Sequence, residues 1–72
     1  MGLEFENILK KNIGKKVRIT FETHNAESFA IGGDLIDVTD DYIEIRGLTN
    51  IYVNRRATII TYVEVFEEGE ET

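Results

Sequence analysis

Two adjacent arginines, Arg55 and Arg56, lie in a short polar segment between two apolar runs of the 72-residue sequence. A segment of this kind predicts a tight connection between strands, from which both guanidinium groups project into solvent. Guanidinium groups bind phosphate oxygens through paired hydrogen bonds, so the arginines are candidates for contact with nucleic acid. The alternative is a solvated turn, or an ion pair between subunits with Asp40, Asp41 or Glu44.

Two tyrosines could add base stacking to such a phosphate contact. Tyr42 and Tyr52 fall on outward-facing positions of predicted strands, where an aromatic ring can stack on a nucleic-acid base. An outward tyrosine more often packs against a neighbouring subunit or a helix, and that alternative stays open. The candidate RNA-binding residues are Arg55, Arg56, Tyr42, Asn54 and Asp40.

The composition excludes most catalytic and metal centres. The chain has no cysteine and a single histidine, His24, so thiolate zinc sites, disulfides and thiol catalysis are ruled out. The densest carboxylate group, at Asp34, Asp37, Asp40 and Asp41, lacks the glycine and the final glutamate of a calcium loop. We therefore expect no enzyme activity, no catalytic residues, no metal, no cofactor and no small-molecule substrate.

The formal net charge is −6, from 14 acidic and eight basic residues. Four of the acidic residues fall in residues 67–72, which we predict to be an acidic disordered tail. Residues 1–66, predicted to be one domain, then carry only two more acidic than basic residues. The acidity argues against nonspecific binding of nucleic acid, but it permits a local basic contact.

The chain is short for a domain that stands alone. A chain of this size buries only about 60–65% of its unfolded surface, and disulfides, metals or oligomerisation usually add the missing stability. With the first two excluded, we expect self-association. No apolar run approaches the roughly 20 residues of a membrane span, so we expect a cytoplasmic protein without a membrane partner.

Apolar spacing predicts one short helix followed by five strands. Over residues 3–11 the apolar side chains fall on one helical face, and the period then changes to two. Adjacent glycines, Gly32 and Gly33, and a change of phase after Leu35 predict that the second strand bends sharply. This pattern is typical of a small closed β-barrel. The strands are predicted near residues 15–21, 29–38, 42–46, 51–53 and 59–66.

The last predicted strand is apolar on both faces. Strict alternation places Ile59, Val63 and Val65 on one face and Ile60, Tyr62 and Phe66 on the other. A strand of this kind left exposed would promote aggregation, so either another subunit or the helix must cover it. The candidate residues of an oligomer interface are Ile51, Val53, Ile60, Tyr62 and Phe66.

Three stretches resemble the Sm-like superfamily of Sm, LSm and Hfq proteins. Residues 8–19 resemble its helix and first strand. Gly33-Asp34-Leu35-Ile36-Asp37-Val38, followed by Tyr42-Ile43-Glu44-Ile45, resembles the first Sm motif. Arg56-Ala57-Thr58-Ile59-Ile60 falls where the second motif has Arg-Gly and then an aliphatic residue. The resemblance implies a mainly β fold, with a short N-terminal helix before a five-stranded, strongly bent antiparallel Sm-like (SH3-like) barrel.

The resemblance also implies a homo-oligomeric ring of five to eight subunits that binds single-stranded RNA at its pore or rim. Three positions depart from the motifs where the family contacts RNA, because Thr39, Ile43 and Ala57 replace its usual Asp, Asn and Gly. Two hypotheses follow. One is a ring-forming RNA-binding module, and the alternative is an Sm-like protein-interaction or structural module that has lost RNA recognition.

Overall fold

The computed structural model describes residues 2–67, and the predicted acidic tail beyond Glu67 lies outside the described residues. One helix precedes five strands, as the periodicity predicts. The helix α1 spans Gly2–Lys11, and the strands are β1 (Lys16–Thr23), β2 (Ser28–Val38), β3 (Tyr42–Arg46), β4 (Asn50–Asn54) and β5 (Thr58–Phe66).

The strands form one antiparallel sheet in the order β4-β3-β2-β1-β5. The predicted closure of this sheet into a barrel is wrong, because β4 and β5 are its two edges. The turn that connects β4 to β5 is bonded to the β2–β3 turn: the Arg55 amide donates a hydrogen bond to the Asp41 carbonyl oxygen over 2.8 Å. The chain therefore leaves β4 beside the β2–β3 turn and crosses to pair with β1. Both edges keep backbone groups that another strand can pair with.

Helix α1 lies against the sheet mainly through contact with β2. Leu9 is fully buried in the core, whereas Phe5 and Ile8 lie at the helix margin and remain about one-third exposed. The helix ends where Asn12 Nδ2 donates to the Ile8 carbonyl oxygen over 2.7 Å, satisfying one of the last carbonyls of the helix. Gly14 then adopts a φ of 98°, a conformation that glycine allows.

Strand β1 supplies the centre of the core. Val17, Ile19 and Phe21 are fully buried and alternate with polar side chains, which confirms the predicted half-buried strand. Side chains from every other element pack around them. The buried apolar residues are Leu9, Val17, Ile19, Phe21, Leu35, Val38, Ile43, Ile45 and Val53.

Strand β2 changes phase where the sequence predicts it. The pairing with β3 shifts between Leu35 and Asp37, so Ile36 is the extra residue of a bulge and the next buried side chain is Val38. Gly33 lies just before this bulge with a φ of 153°. A Cβ atom there would lie 2.5 Å from the Arg46 carbonyl oxygen, so β2 and β3 approach each other only because residue 33 has no side chain.

Strand β5 contains a second bulge, which the strict alternation missed. Its pairing with β1 passes from Tyr62 to Ile60, so Thr61 is the extra residue. Ile60 therefore shares the inner face with Val63 and Val65, all three packed against the core. The predicted face assignment of Ile59 and Ile60 is wrong for this reason. The outer face carries Ile59, Tyr62 and Phe66, which are 55%, 59% and 41% exposed.

Candidate functional site

The β2–β3 turn and the β4–β5 turn lie side by side at one end of the sheet. Beyond the Arg55 amide bond to Asp41, Arg56 joins the two turns through its side chain. Its Nη2 and Nε atoms lie 3.1 Å and 3.2 Å from Asp41 Oδ1. Arg56 thus pairs with Asp41 of its own chain, whereas the sequence-based alternative placed such a pair between subunits.

A shallow open pocket of about 400 Å³ lies beside this ion pair. It is built from both turns and from the strands that lead into them. Tyr42 begins β3, Tyr52 lies in the middle of β4, and Asn54 ends β4. We call this feature the tyrosine pocket; its lining residues are Asp41, Tyr42, Tyr52, Asn54 and Arg56.

The two tyrosine rings meet edge to face, with centroids 5.6 Å apart and an interplanar angle of 71°. The Tyr42 hydroxyl donates to Asp37 Oδ2 over 3.3 Å, and the Tyr52 hydroxyl donates to Glu44 Oε2 over 3.1 Å. The negative charge of Asp37 raises the pKa of the Tyr42 hydroxyl above its ordinary value. Tyr52 is 59% exposed and offers a free ring surface.

Glu44 on β3 accepts hydrogen bonds from two side chains of the neighbouring strand β4. It is only 9% exposed, although it is a charged residue. Asn50 Nδ2 donates to the Glu44 Oε2 atom that also accepts the Tyr52 hydroxyl, and Arg46 Nε donates to Asn50 Oδ1. These bonds satisfy the buried carboxylate and fix the ring of Tyr52 in one orientation.

Arg56 is the exposed cation of the pocket. Its side chain is 81% exposed, and its amide donates to Asn54 Oδ1 over 2.8 Å. That bond leaves the Asn54 Nδ2 group, a donor, directed away from the Arg56 amide. His24 Nε2 lies 3.2 Å from the Arg56 carbonyl oxygen and so contacts the same turn from the β1–β2 side.

Arg55 has a different environment from Arg56. Its Nη2 and Nη1 atoms lie 2.6 Å and 3.0 Å from the two carboxylate oxygens of Glu6 on α1. Nη1 also donates to the Thr39 carbonyl oxygen over 2.6 Å. The side chains of Arg55 and Glu6 are each only 19% exposed. The guanidinium group is therefore directed at the helix and the β2–β3 turn, and Arg55 does not line the tyrosine pocket.

The Glu6–Arg55 pair makes stability depend on pH. Hydrogen bonding to Arg55, aided by its charge and by Lys10, lowers the pKa of the Glu6 carboxyl below its ordinary value despite partial burial. A depressed folded-state pKa contributes stability above the unfolded-state pKa, and this contribution is lost as the pH falls through the folded value. Hydrogen bonding to Glu6 in turn raises the pKa of Arg55, and a guanidinium group is charged at every pH in this range.

Glu6→Gln should therefore lower the free energy of unfolding at pH 7 by about 1 kcal/mol, the effect of a well-formed, partly exposed pair. Urea unfolding at pH values from 7 to 3 measures this, and the difference between the two proteins should shrink as Glu6 becomes protonated in the wild type. A difference that persists unchanged at pH 3 would show that the pair's charge is irrelevant.

The other predicted residues lie in several environments. Asp40 is exposed in the β2–β3 turn and lies outside the tyrosine pocket, whereas its neighbour Asp41 lines it. Tyr62 and Phe66 lie exposed on the outer face of β5. Ile51 and Ile60 are half-buried, and Val53 is buried at 6% exposure, so these three belong to the core face of the edge strands.

Three residues have roles in this region that the sequence does not indicate. The sequence indicates Tyr52 only as a possible stacking ring, and in the structure its side chain lines the pocket. Asp41 forms the ion pair with Arg56, and the sequence does not distinguish it from the adjacent Asp40 as the partner. Glu6 lies 49 positions before Arg55, and no local pattern connects the two residues.

Comparison with protein-family models, with curated proteins and with solved structures finds no match to this chain. Among residues 2–67, no helix is long and apolar enough to cross a membrane. Within the same range, no three His, Cys, Asp or Glu side chains gather closely enough to hold a metal ion. Because no known protein matches, the ligand of the tyrosine pocket is inferred from the geometry of the pocket alone.

Proposed function

We propose that the protein is a ring-forming Sm-like module that binds single-stranded RNA, with the tyrosine pocket as its contact for one nucleotide. The observation that carries the proposal is the placement of one exposed guanidinium group, on Arg56, beside the exposed ring of Tyr52. A cation next to an aromatic surface is the combination that holds the phosphate and the base of an unpaired nucleotide.

The polar edge of the pocket adds hydrogen bonds to this stacking surface. Asn54 Nδ2 is a donor, and Asp41 offers its second carboxylate oxygen as an acceptor. Bases splayed from a single strand present both donors and acceptors on their edges. The pocket is open and shallow, which suits a base that enters from a flexible strand.

Assembly rests on the two free edges of the sheet. β4 and β5 each leave one side unpaired, and the outer face of β5 carries the exposed Ile59, Tyr62 and Phe66. Helix α1 packs mainly on β2 and leaves that face uncovered among the described residues. Pairing of one chain's β4 with the next chain's β5 would cover both edges and, if it closes, give a ring. A ring would repeat the tyrosine pocket once per subunit.

Arg56→Glu tests the RNA contact. In the wild type, a fluorescent single-stranded RNA oligonucleotide should bind at low salt, where phosphate contacts are strongest. The variant should weaken this binding by more than about tenfold, since it replaces a phosphate contact with a repelling charge at every subunit. Fluorescence anisotropy measures both affinities.

Lys11→Glu is the matched control for this experiment, because it changes the net charge by the same amount at an exposed position in the last turn of α1. It should alter the affinity by less than about threefold, as expected for a charge outside the contact. Equal losses in both variants would mean that the binding is general electrostatic attraction rather than recognition by the pocket.

A second function is favoured by the acidic surroundings of Arg56. Asp41 already pairs with this guanidinium, and Asp37 and Glu44 accept bonds from the two tyrosines. These carboxylates would repel RNA phosphates and suit a protein partner instead. A protein-interaction or structural module predicts an oligomer that binds no RNA oligonucleotide even at low salt, so the same anisotropy measurement separates the two functions.

A further inference from the structure

Arg55, in the β4–β5 turn, is hydrogen-bonded to helix α1 and to the β2–β3 turn. The guanidinium group binds Glu6 on α1 and the Thr39 carbonyl oxygen in the β2–β3 turn, while the amide binds the Asp41 carbonyl oxygen. Its neighbours in the chain are Asn54 and Arg56, both of which line the tyrosine pocket. Arg55 therefore connects the helix to both turns that form the pocket without lining the pocket itself.

The spacing of the pocket depends on these connections together with the β3–β4 ladder, in which Tyr42 is the register partner of Asn54. Asp41 and Tyr42 enter it from the β2–β3 turn, whereas Asn54 and Arg56 enter it from the β4–β5 turn. Two of the bonds that hold the turns together come from Arg55, at 2.6 Å to Thr39 and 2.8 Å to Asp41. The third link, from Arg56 to Asp41, is far more exposed and so contributes less rigidity.

Glu6 fixes the direction of the Arg55 side chain. It binds both terminal nitrogens, and a two-point contact of this kind sets the orientation of a guanidinium group as well as its position. Its only other ion pair is with Lys10, at 3.8 Å, and it makes no hydrogen bond to a pocket residue within residues 2–67. Among these polar contacts, the one with Arg55 alone connects Glu6 to the turns that form the pocket.

We infer that Arg55 is a positioning residue of the tyrosine pocket, oriented by Glu6, and that helix α1 is thereby coupled to the binding of RNA. The inference rests on the proposed function for its affinity measurement. It differs from the sequence-based prediction, in which Arg55 itself contacts phosphate. The two roles predict opposite responses when Glu6 loses its charge.

Glu6→Gln separates the roles by the sign of its effect on RNA affinity. If Arg55 contacts phosphate, removal of the competing carboxylate frees a cation, so binding tightens and its salt dependence steepens. If Arg55 positions the pocket, affinity falls by about five- to tenfold, at the low end of the coupling between protein sites. The slope of log affinity against log salt then stays unchanged, because no phosphate contact is lost.

Lys10→Gln is the matched control, since it removes the other ion pair of Glu6 and leaves the bond to Arg55 in place. It should leave RNA affinity unchanged within about twofold, the tolerance expected for an exposed pair. An equal loss of affinity in Lys10→Gln and Glu6→Gln would overturn the positioning role, as would tighter binding in Glu6→Gln.

A measurement without RNA keeps the inference independent of the proposed function. In a ¹H–¹⁵N correlation spectrum, Glu6→Gln should shift the amides of Asp41, Tyr42 and Arg56, although Glu6 forms its hydrogen bonds and ion pairs with Arg55 and Lys10, and Lys10→Gln should leave them in place. Shifts confined to α1 and Arg55 would overturn the inference. If the shifts appear but wild-type protein binds no RNA, the coupling stands and the RNA function fails.

Discussion

Gly33→Ala is expected to lower the free energy of unfolding by about 3 kcal/mol, a large effect for one methyl group. The added Cβ would lie 2.5 Å from the Arg46 carbonyl oxygen and 2.9 Å from its carbonyl carbon. These are backbone atoms, so the clash is relieved only by separating β2 from β3. The φ of 153° adds strain of its own, because side chains rarely adopt that conformation.

Gly32→Ala is the control for this prediction. A Cβ atom at position 32 would meet only the Val17 carbonyl oxygen, at an ordinary 3.7 Å. Urea unfolding of the wild type and both variants should therefore give a near-wild-type midpoint for Gly32→Ala and a strongly reduced one for Gly33→Ala. Similar midpoints for the two variants would contradict the close approach of β2 and β3 at Gly33.

The combined change Tyr62→Lys and Phe66→Lys should dissociate the proposed oligomer into monomers. Both rings are exposed on the outer face of β5, so the fold of one chain does not depend on burying them. Two aromatic contacts at the centre of an interface contribute about 2 kcal/mol or more each, and their loss raises the dissociation constant about a thousandfold. Sedimentation velocity at micromolar concentration measures the result.

Ile13→Lys is the control for the change on β5. Ile13 is 43% exposed, much like Phe66, but lies in the turn between α1 and β1 and belongs to neither edge strand. This variant should keep the wild-type sedimentation coefficient. If the β5 variant also keeps it, the outer face of β5 is not an interface. The circular dichroism spectra of both variants should match that of the wild type.

The main elements of the fold could be predicted from the sequence because each one carries its own period. The helix, the alternation of Val17, Ile19 and Phe21, and the change of phase after Leu35 are all local patterns, and the structure confirms them. The bulge at Thr61 could not be predicted, because β5 carries apolar residues on both faces and an extra residue therefore leaves no visible change in its apolar pattern. The assignment of Ile59 and Ile60 to faces failed for that reason.

The composition of the pocket could be predicted from the sequence only in part. Tyr42, Asn54 and Arg56 line it, whereas the other two candidates, Arg55 and Asp40, lie outside it. The roles of the two arginines could not be separated, because adjacent residues in a turn share the same local sequence. A distant carboxylate, Glu6, distinguishes them, and contacts across 49 residues depend on how the helix lies on the sheet.

One measurement tests the central claim, that a ring of these chains binds RNA, most directly. Sedimentation velocity of the wild-type protein with a fluorescent single-stranded RNA oligonucleotide, at low salt, follows the mass of the assembly and the position of the label together. The label is expected to sediment with a closed oligomer of five to eight chains. A protein that sediments as a monomer, or a label that remains at the rate of free RNA beside an intact oligomer, would contradict it.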